Sequence, residues 1–220
     1  MFRKPRLLDL FCCAGGAAWG YLQAGFDVIG VDIADQPRYA GHMFVQGDAI
    51  MVGKTLIEGG EIDAVHASPP CQAHSDLQKQ SKLHYEDFIP QTRELCEWSG
   101  LPYVIENVEG APLRDPVMLC GTMFPGLRVI RHRLFESNVQ LTAPSHGKHP
   151  LVFTHDKRKA HYGKLDQDTS FVQVTGGGNC SIANARDAMG IWWMNKHELN
   201  EAIPPAYTEH IGRQLMAVVS

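Results

Sequence analysis

Four short apolar runs, each breaking off at a turn former or an acid, constrain this chain more than any other feature. They are residues 6–11 (RLLDLF), 27–32 (DVIGVD), 62–67 (IDAVHA) and 102–105 (PYVI). Each has the length and branched or aromatic content of a buried strand rather than a helix. Between the first two, residues 17–24 have helical character and stop at Gly25. Before the fourth, residues 85–99 form a longer helical stretch closed by Gly100. Strands alternating with helices build parallel βαβ units, so the expected fold is α/β with an open, doubly wound, mostly parallel sheet. In such a sheet ligands sit beyond the carboxyl ends of the strands. Gly15, Gly16, Asp32, Cys71 and Glu106 all fall at those ends.

At 220 residues the chain has room for one domain with a small appendage. Its character changes at 137–180, where turn formers and histidines replace helical periodicity. Within 137–165, Lys148, Lys157, Arg158, Lys159 and Lys164 face one acid, Asp156. The formal net charge is -4, so the chain as a whole is not a polycation, and any nucleic-acid contact needs a local basic surface of this kind. The final segment, from 183 onward, divides into helical pieces at Pro204-Pro205. No run of about 18 apolar residues exists, so no membrane span is expected. The basic, then apolar, amino terminus is too short for a signal peptide. None of the six cysteines forms a CxxC pair, and their spacing suggests neither a metal knuckle nor a disulfide ladder. Free thiols in a reducing cytoplasm are the expectation.

Four segments carry chemistry. DLFCCAGG (9–16) places glycines between a strand and a helix, where backbone can approach a ligand closely. The GxGxxG spacing of a dinucleotide site is missing. Asp32 at the next strand end suits ribose hydroxyls, and Asp48 suits an adenine amino group. In SPPCQ (68–72) two prolines hold Cys71 on a stiff, irregular segment, as a presented nucleophile requires. In YVIENV (103–108) Glu106 can act as an acid toward a ring nitrogen if burial raises its pKa, and Asn107 can brace the neighbouring loop. In VIRHR (129–133) Arg131 and Arg133 alternate on an expected strand and so share a face.

In this order, the four segments resemble the cytosine-C5 DNA methyltransferase family. DLFCCAGG resembles its DLFxGxGG loop, PPCQ its Pro-Cys-Gln, ENV its Glu-Asn-Val, and VIRHR its Gln-x-Arg-x-Arg. LNEAIPP (199–205) is similar to its closing GNxxPP. The resemblance implies a Rossmann-like, class I methyltransferase domain over 1–136 and 181–220, with a small target-recognition insertion at 137–180. It implies no metal, and S-adenosylmethionine as cofactor, held by Phe11, Cys12, Gly15, Gly16, Asp32, Ile33, Asp48, Ala49 and Pro70. It makes Cys71 the nucleophile and Glu106, Arg131 and Arg133 its catalytic partners. Gln72, Ser75, Asn107, Lys157, Arg158 and Lys159 would meet the substrate. Double-stranded DNA is the implied partner of a monomeric protein, and the compact form is similar to phage-borne relatives. Cytosine in RNA, a free cytosine nucleotide, or binding without turnover remain open alternatives. Three positions depart from the family pattern: Cys13 stands for a loop glycine, Val129 for the glutamine, and Asn200-Glu201 for the closing Gly-Asn.

Overall fold

The computed structural model describes residues 3–74, 85–150, 152–153, 170–175 and 180–219. The four apolar runs become β1 (Arg6–Leu10), β2 (Asp27–Asp32), β4 (Ala64–Ala67) and β5 (Tyr103–Asn107). Three further strands, β3 (Met43–Gln46), β6 (Val117–Leu119) and β7 (Arg133–Ser137), complete a seven-stranded sheet in the order β3-β2-β1-β4-β5-β7-β6. Pairings among β3, β2, β1, β4 and β5 are parallel, and β7 runs antiparallel between β5 and β6. This is the expected doubly wound α/β fold, of the Rossmann-like type found in class I methyltransferases. The strand order reverses between β1 and β4, where a crevice opens beyond the carboxyl ends.

Strand residues alternate between two cores, as a period of two requires. Leu7 and Val28 face one side, where α1 (Gly16–Ala24) and α6 (Pro205–Val219) supply Tyr21, Tyr207, Ile211 and Leu215. Leu8, Leu10 and Ile29 face the other, against α2 (Ala49–Glu58) and α3 (Ile89–Ser99). With helices on both faces the strands read as continuous apolar runs. Gly20 lets α1 and α6 meet closely: a Cβ there would stand 2.1 Å from Thr208 Oγ1.

Helix α3 starts at Ile89, four residues later than the sequence suggests. Asp87 Oδ1 accepts from Ile89 N at 3.0 Å, and a proline occupies the first turn, both of which favour initiation there. Helices α4 (Ile182–Met189) and α5 (Lys196–Glu201) precede α6, which begins at Pro205, the expected break. A third apolar cluster joins Ala14 and Val129 to Val172, Val174, Met189 and Leu199. Two short strands, β8 (Val152–Phe153) and β9 (Phe171–Val172), pair in parallel. Val172 N donates to Arg128 O at 2.9 Å, which ties β9 to the segment that leads into β7. Among the described residues, no helix is long and apolar enough to cross a membrane.

Candidate active site

Beyond β1 the chain turns sharply. Phe11 (φ 58°) and Cys13 (φ 44°) both adopt left-handed backbone, followed by Gly15 at φ 80°. Cys13 therefore takes the backbone conformation that a glycine favours. Asp32, at the tip of β2, fixes the turn: Oδ2 accepts from Cys13 N and Oδ1 from Ala34 N, both at 2.9 Å. Both glycines stand where a side chain would clash. A Cβ on Gly15 would lie 2.7 Å from Ala40 N, and one on Gly16 would lie 2.7 Å from Ile203 O. Asp48 caps α2, with Oδ1 accepting from Ile50 N at 3.0 Å and Met51 N at 2.8 Å.

Beyond β4, Pro69-Pro70 delivers Cys71 into a short 3-10 turn, Cys71–Ala73. Asn107, on β5, braces that segment: Nδ2 donates to Pro69 O and Oδ1 accepts from Val108 N, both at 2.9 Å. Asn107 is buried and does not line the cavity; the bracing role expected of it is the one these contacts show. Glu106 is buried, with Arg133 Nε 2.9 Å from its Oε1. The pair is a charge contact without hydrogen-bond alignment, and Oε1 has no donor. Burial raises the Glu106 carboxyl; Arg133 opposes that, and so does a hydrogen bond from Ser68. Burial also raises the half-buried Cys71 thiol; Arg133 lowers it and Glu106 raises it again.

The expectation for Arg131 needs correcting. Strand β7 starts at Arg133, so the two arginines do not alternate along one strand. Arg131 lies buried before it, donating Nη1 to Val174 O at 2.8 Å and Nη2 to Asn200 O. Its own carbonyl accepts from Tyr207 Oη at 2.7 Å. Burial and the neighbouring Arg133 push the guanidinium down to about 9, still charged at neutrality. Arg131 thus joins three segments at the cavity wall, while Arg133 is the arginine that addresses Glu106.

These parts enclose one cavity of about 550 Å³, ample for a nucleoside-sized ligand. One end is lined by Phe11, Cys12, Asp32, Ile33, Asp48 and Ala49, the other by Pro70, Cys71, Gln72, Glu106, Arg131 and Arg133. Gly16 also lines it; Gly15 does not. The closing segment contributes Asn200, Glu201, Ala202 and Ile203. Ser75, Lys157, Arg158 and Lys159 lie outside the described residues.

Sequence reasoning missed Asp9 and Ser68. Asp9, at the cavity floor, is fully buried and neither carboxylate oxygen has a hydrogen-bond partner. Burial pushes its carboxyl well up. Ser68 extends a buried chain behind Glu106: Tyr21 Oη meets His66 Nδ1, and His66 Nε2 meets Ser68 Oγ, each at 2.9 Å. The signal available for Asp9 was an acid inside an otherwise apolar strand.

No protein-family model matches the chain. Two curated proteins are similar over half of it. The type II methyltransferase M.AgeI of Thalassovita gelatinovora is 26% identical over 120 residues, 48% of this chain and 28% of that protein. The type II methyltransferase M.XorII of Xanthomonas oryzae pv. oryzae is 30% identical over 128 residues, 49% of this chain and 29% of that protein. The chain thus spans under a third of the length of these relatives. A crystal structure of a Spodoptera frugiperda DNMT2 mutant superposes with TM-score 0.62 at 11% identity, over 96% of this chain and 99% of that one. At that identity the match establishes a shared fold, and it covers nearly the whole of both chains.

Proposed function

We propose that this chain transfers a methyl group from S-adenosylmethionine to carbon 5 of cytosine in double-stranded DNA, through a covalent bond between Cys71 and carbon 6. The observation that carries this reading is the convergence of Cys71, Glu106 and Arg133 in one cavity with the acid-lined end at Asp32. The similarity to two proteins named type II methyltransferases supports it.

The cavity suits the cofactor. Asp32 and Asp48 offer carboxylates to hydroxyl and amino groups, Phe11 offers a ring face, and Glu201 on the closing segment offers a carboxylate to a cationic group. When bound, the cofactor supplies an electrophilic methyl group. The rest of the chemistry belongs to the chain. Cys71, as thiolate, adds to carbon 6, and its electron pair enters the ring and makes carbon 5 nucleophilic. Glu106 donates a proton or hydrogen bond to ring nitrogen 3, offsetting the developing charge, which its burial equips it to do. Arg133 holds Glu106 in place and faces the oxygen 2 edge of the base. After methylation the carbon 5 proton leaves to a base, and expulsion of the Cys71 thiolate restores aromaticity. A cytosine in duplex DNA reaches such a cavity only by flipping out of the stack. In this reading residues 137–180 form the target-recognition segment, on the strength of their basic composition, with phosphate contacts supplying affinity.

The decisive experiment offers labelled cofactor with duplex DNA, tRNA or deoxycytidine monophosphate, and separately traps the protein on DNA containing 5-fluorocytosine. The expected result is label in DNA and a covalent adduct at Cys71 that Cys71→Ser abolishes. Label in tRNA or the nucleotide alone would move the substrate. Label in DNA without an adduct would overturn the mechanism.

A further inference from the structure

Away from the cavity, at the β6–β7 edge of the sheet, one thiol and three imidazoles converge. We propose that Cys120, His132, His146 and His149 form a structural zinc(II) site. It would pin the segment between Arg131 and Arg133, and the chain that follows β7, to the catalytic sheet. The inference is independent of the reaction assigned above.

The four ligand atoms lie as close together as a metal ion would need them. His149 Nε2 lies 3.1 Å from His132 Nε2, 3.0 Å from His146 Nε2 and 3.6 Å from Cys120 Sγ. One ligand atom from each of the four residues lies within 4.8 Å of all the others. Zinc bonds of about 2.0–2.1 Å to nitrogen and 2.3 Å to sulfur set tetrahedral edges of roughly 3.3 Å between nitrogens and 3.6 Å from nitrogen to sulfur. The three spacings to His149 are close to both, and the other three edges, within 4.8 Å, need the ligands to draw in by about an ångström or less on binding. Ordinary hydrogen bonding does not account for them. A neutral imidazole nitrogen carries either one proton or one lone pair, yet three groups crowd His149 Nε2.

The proton on His132 can be placed. Its Nδ1 stands 2.9 Å from the Glu109 carboxylate, which accepts only, so Nδ1 carries the hydrogen. In the neutral ring Nε2 is then a bare lone pair aimed into the cluster. A carboxylate behind a histidine is also how metal-bound imidazoles are commonly oriented. Thr122 Oγ1, 3.3 Å from Cys120 Sγ, donates to the sulfur and leaves its lone pairs facing the cluster unprotonated by that contact. Three imidazoles and one thiolate fill a tetrahedron and leave no open position, which marks a structural rather than a catalytic zinc.

Position gives the site its purpose. Cys120 directly follows β6 and His132 directly precedes β7, two strands paired through Leu119 and Arg133. His132 stands between the two arginines of the cavity wall. His146 and His149 are exposed and bring in the start of the 137–180 segment. Cysteine spacing suggests no metal knuckle, and a set with a single cysteine escapes that test.

The test uses the tag-free full chain, expressed with zinc and measured by plasma mass spectrometry. The expected content is one zinc per chain, lost in Cys120→Ser and in His146→Gln and kept in the exposed control His197→Gln. Should Cys120→Ser fail to fold, the surface change His146→Gln reads the same quantity. Cobalt(II) exchanged into the wild type should show tetrahedral visible bands and a thiolate-to-cobalt charge-transfer band. A chelator should lower the melting temperature of the wild type and leave His146→Gln unmoved. Wild-type protein without zinc, or with zinc that both variants retain, overturns the proposal, as does a cobalt spectrum without the thiolate band.

Discussion

Glu136→Gln removes the charge that neutralises a buried guanidinium. Glu136, on β7, takes Arg93 Nε on Oε1 and Arg93 Nη2 on Oε2, both at 2.7 Å, and Arg114 N on Oε2 at 2.8 Å. The two side chains are 3% and 10% exposed, so little water can replace the lost partner. Breaking a buried pair from one side costs about 3–5 kcal/mol. A glutamine keeps one acceptor and turns an amide toward the guanidinium, so the same range is expected here. For a chain of this length that lowers the melting temperature by roughly 10 °C. Urea denaturation followed by circular dichroism gives the figure directly. The double variant Arg93→Met with Glu136→Leu should cost less than the two single changes summed, because no charge is left unpaired. The pH dependence has a definite sign. Burial pushes the Glu136 carboxyl up, but Arg93 and Arg114 N outweigh it and hold it below its ordinary value. The pair therefore stabilises the fold above the unfolded carboxyl pKa of about 4.3, and its contribution fades as pH falls through the lower folded value. A Glu136→Gln loss under about 1 kcal/mol, or additivity in the double variant, would refute the argument. The consequence reaches the cavity, because the pair clamps β7 in the register that sets Phe135 opposite Glu106, two residues beyond Arg133.

Two other changes probe the site itself. Glu106→Gln should cut methyl transfer by about 10²–10⁴-fold while speeding iodoacetamide alkylation of Cys71 at fixed pH. The lost carboxyl had been raising that thiol, and unchanged alkylation would mean the two groups do not sense each other. Cys13→Gly should stabilise the fold by up to about 1 kcal/mol, since relief of left-handed strain exceeds the added chain entropy. A loss of stability in thermal unfolding would show that the half-buried thiol side chain packs to greater effect than its backbone strains.

Much of the sheet could be read from local pattern. Strand β2 falls where DVIGVD begins and ends, and β1 and β5 differ from their apolar runs by a residue or two. A strand buried on both faces announces itself by unbroken apolar character. Strands β3 and β6 gave no such sign, because MFVQ and VML sit partly exposed at the two edges. Helix α2 was missed although Asp48, its cap, had been singled out for another role. Cys71, Glu106 and Arg133 were recognisable because turn chemistry and strand ends are sequence-local features, and their meeting in one cavity follows from the parallel order.

The chain's own order of residues determined the alternation of strands and helices, and with it the edge of the sheet where reactive side chains gather. Tertiary structure alone decided what each of those side chains touches. Arg131 reads as a partner of Arg133, yet its Nη1 and Nη2 donors go to Val174 and Asn200, 43 and 69 residues away. Gly16 reads as a ligand contact and lines the cavity, but the closing segment packed against it at Ile203 O leaves no mark in the local pattern. His132, His146 and His149 carry no pattern until β6 and β7 pair and bring Cys120 to them. The physical reason is common to all three: backbone periodicity is set by neighbours within a few residues, whereas a buried polar group takes whichever distant partner the fold presents.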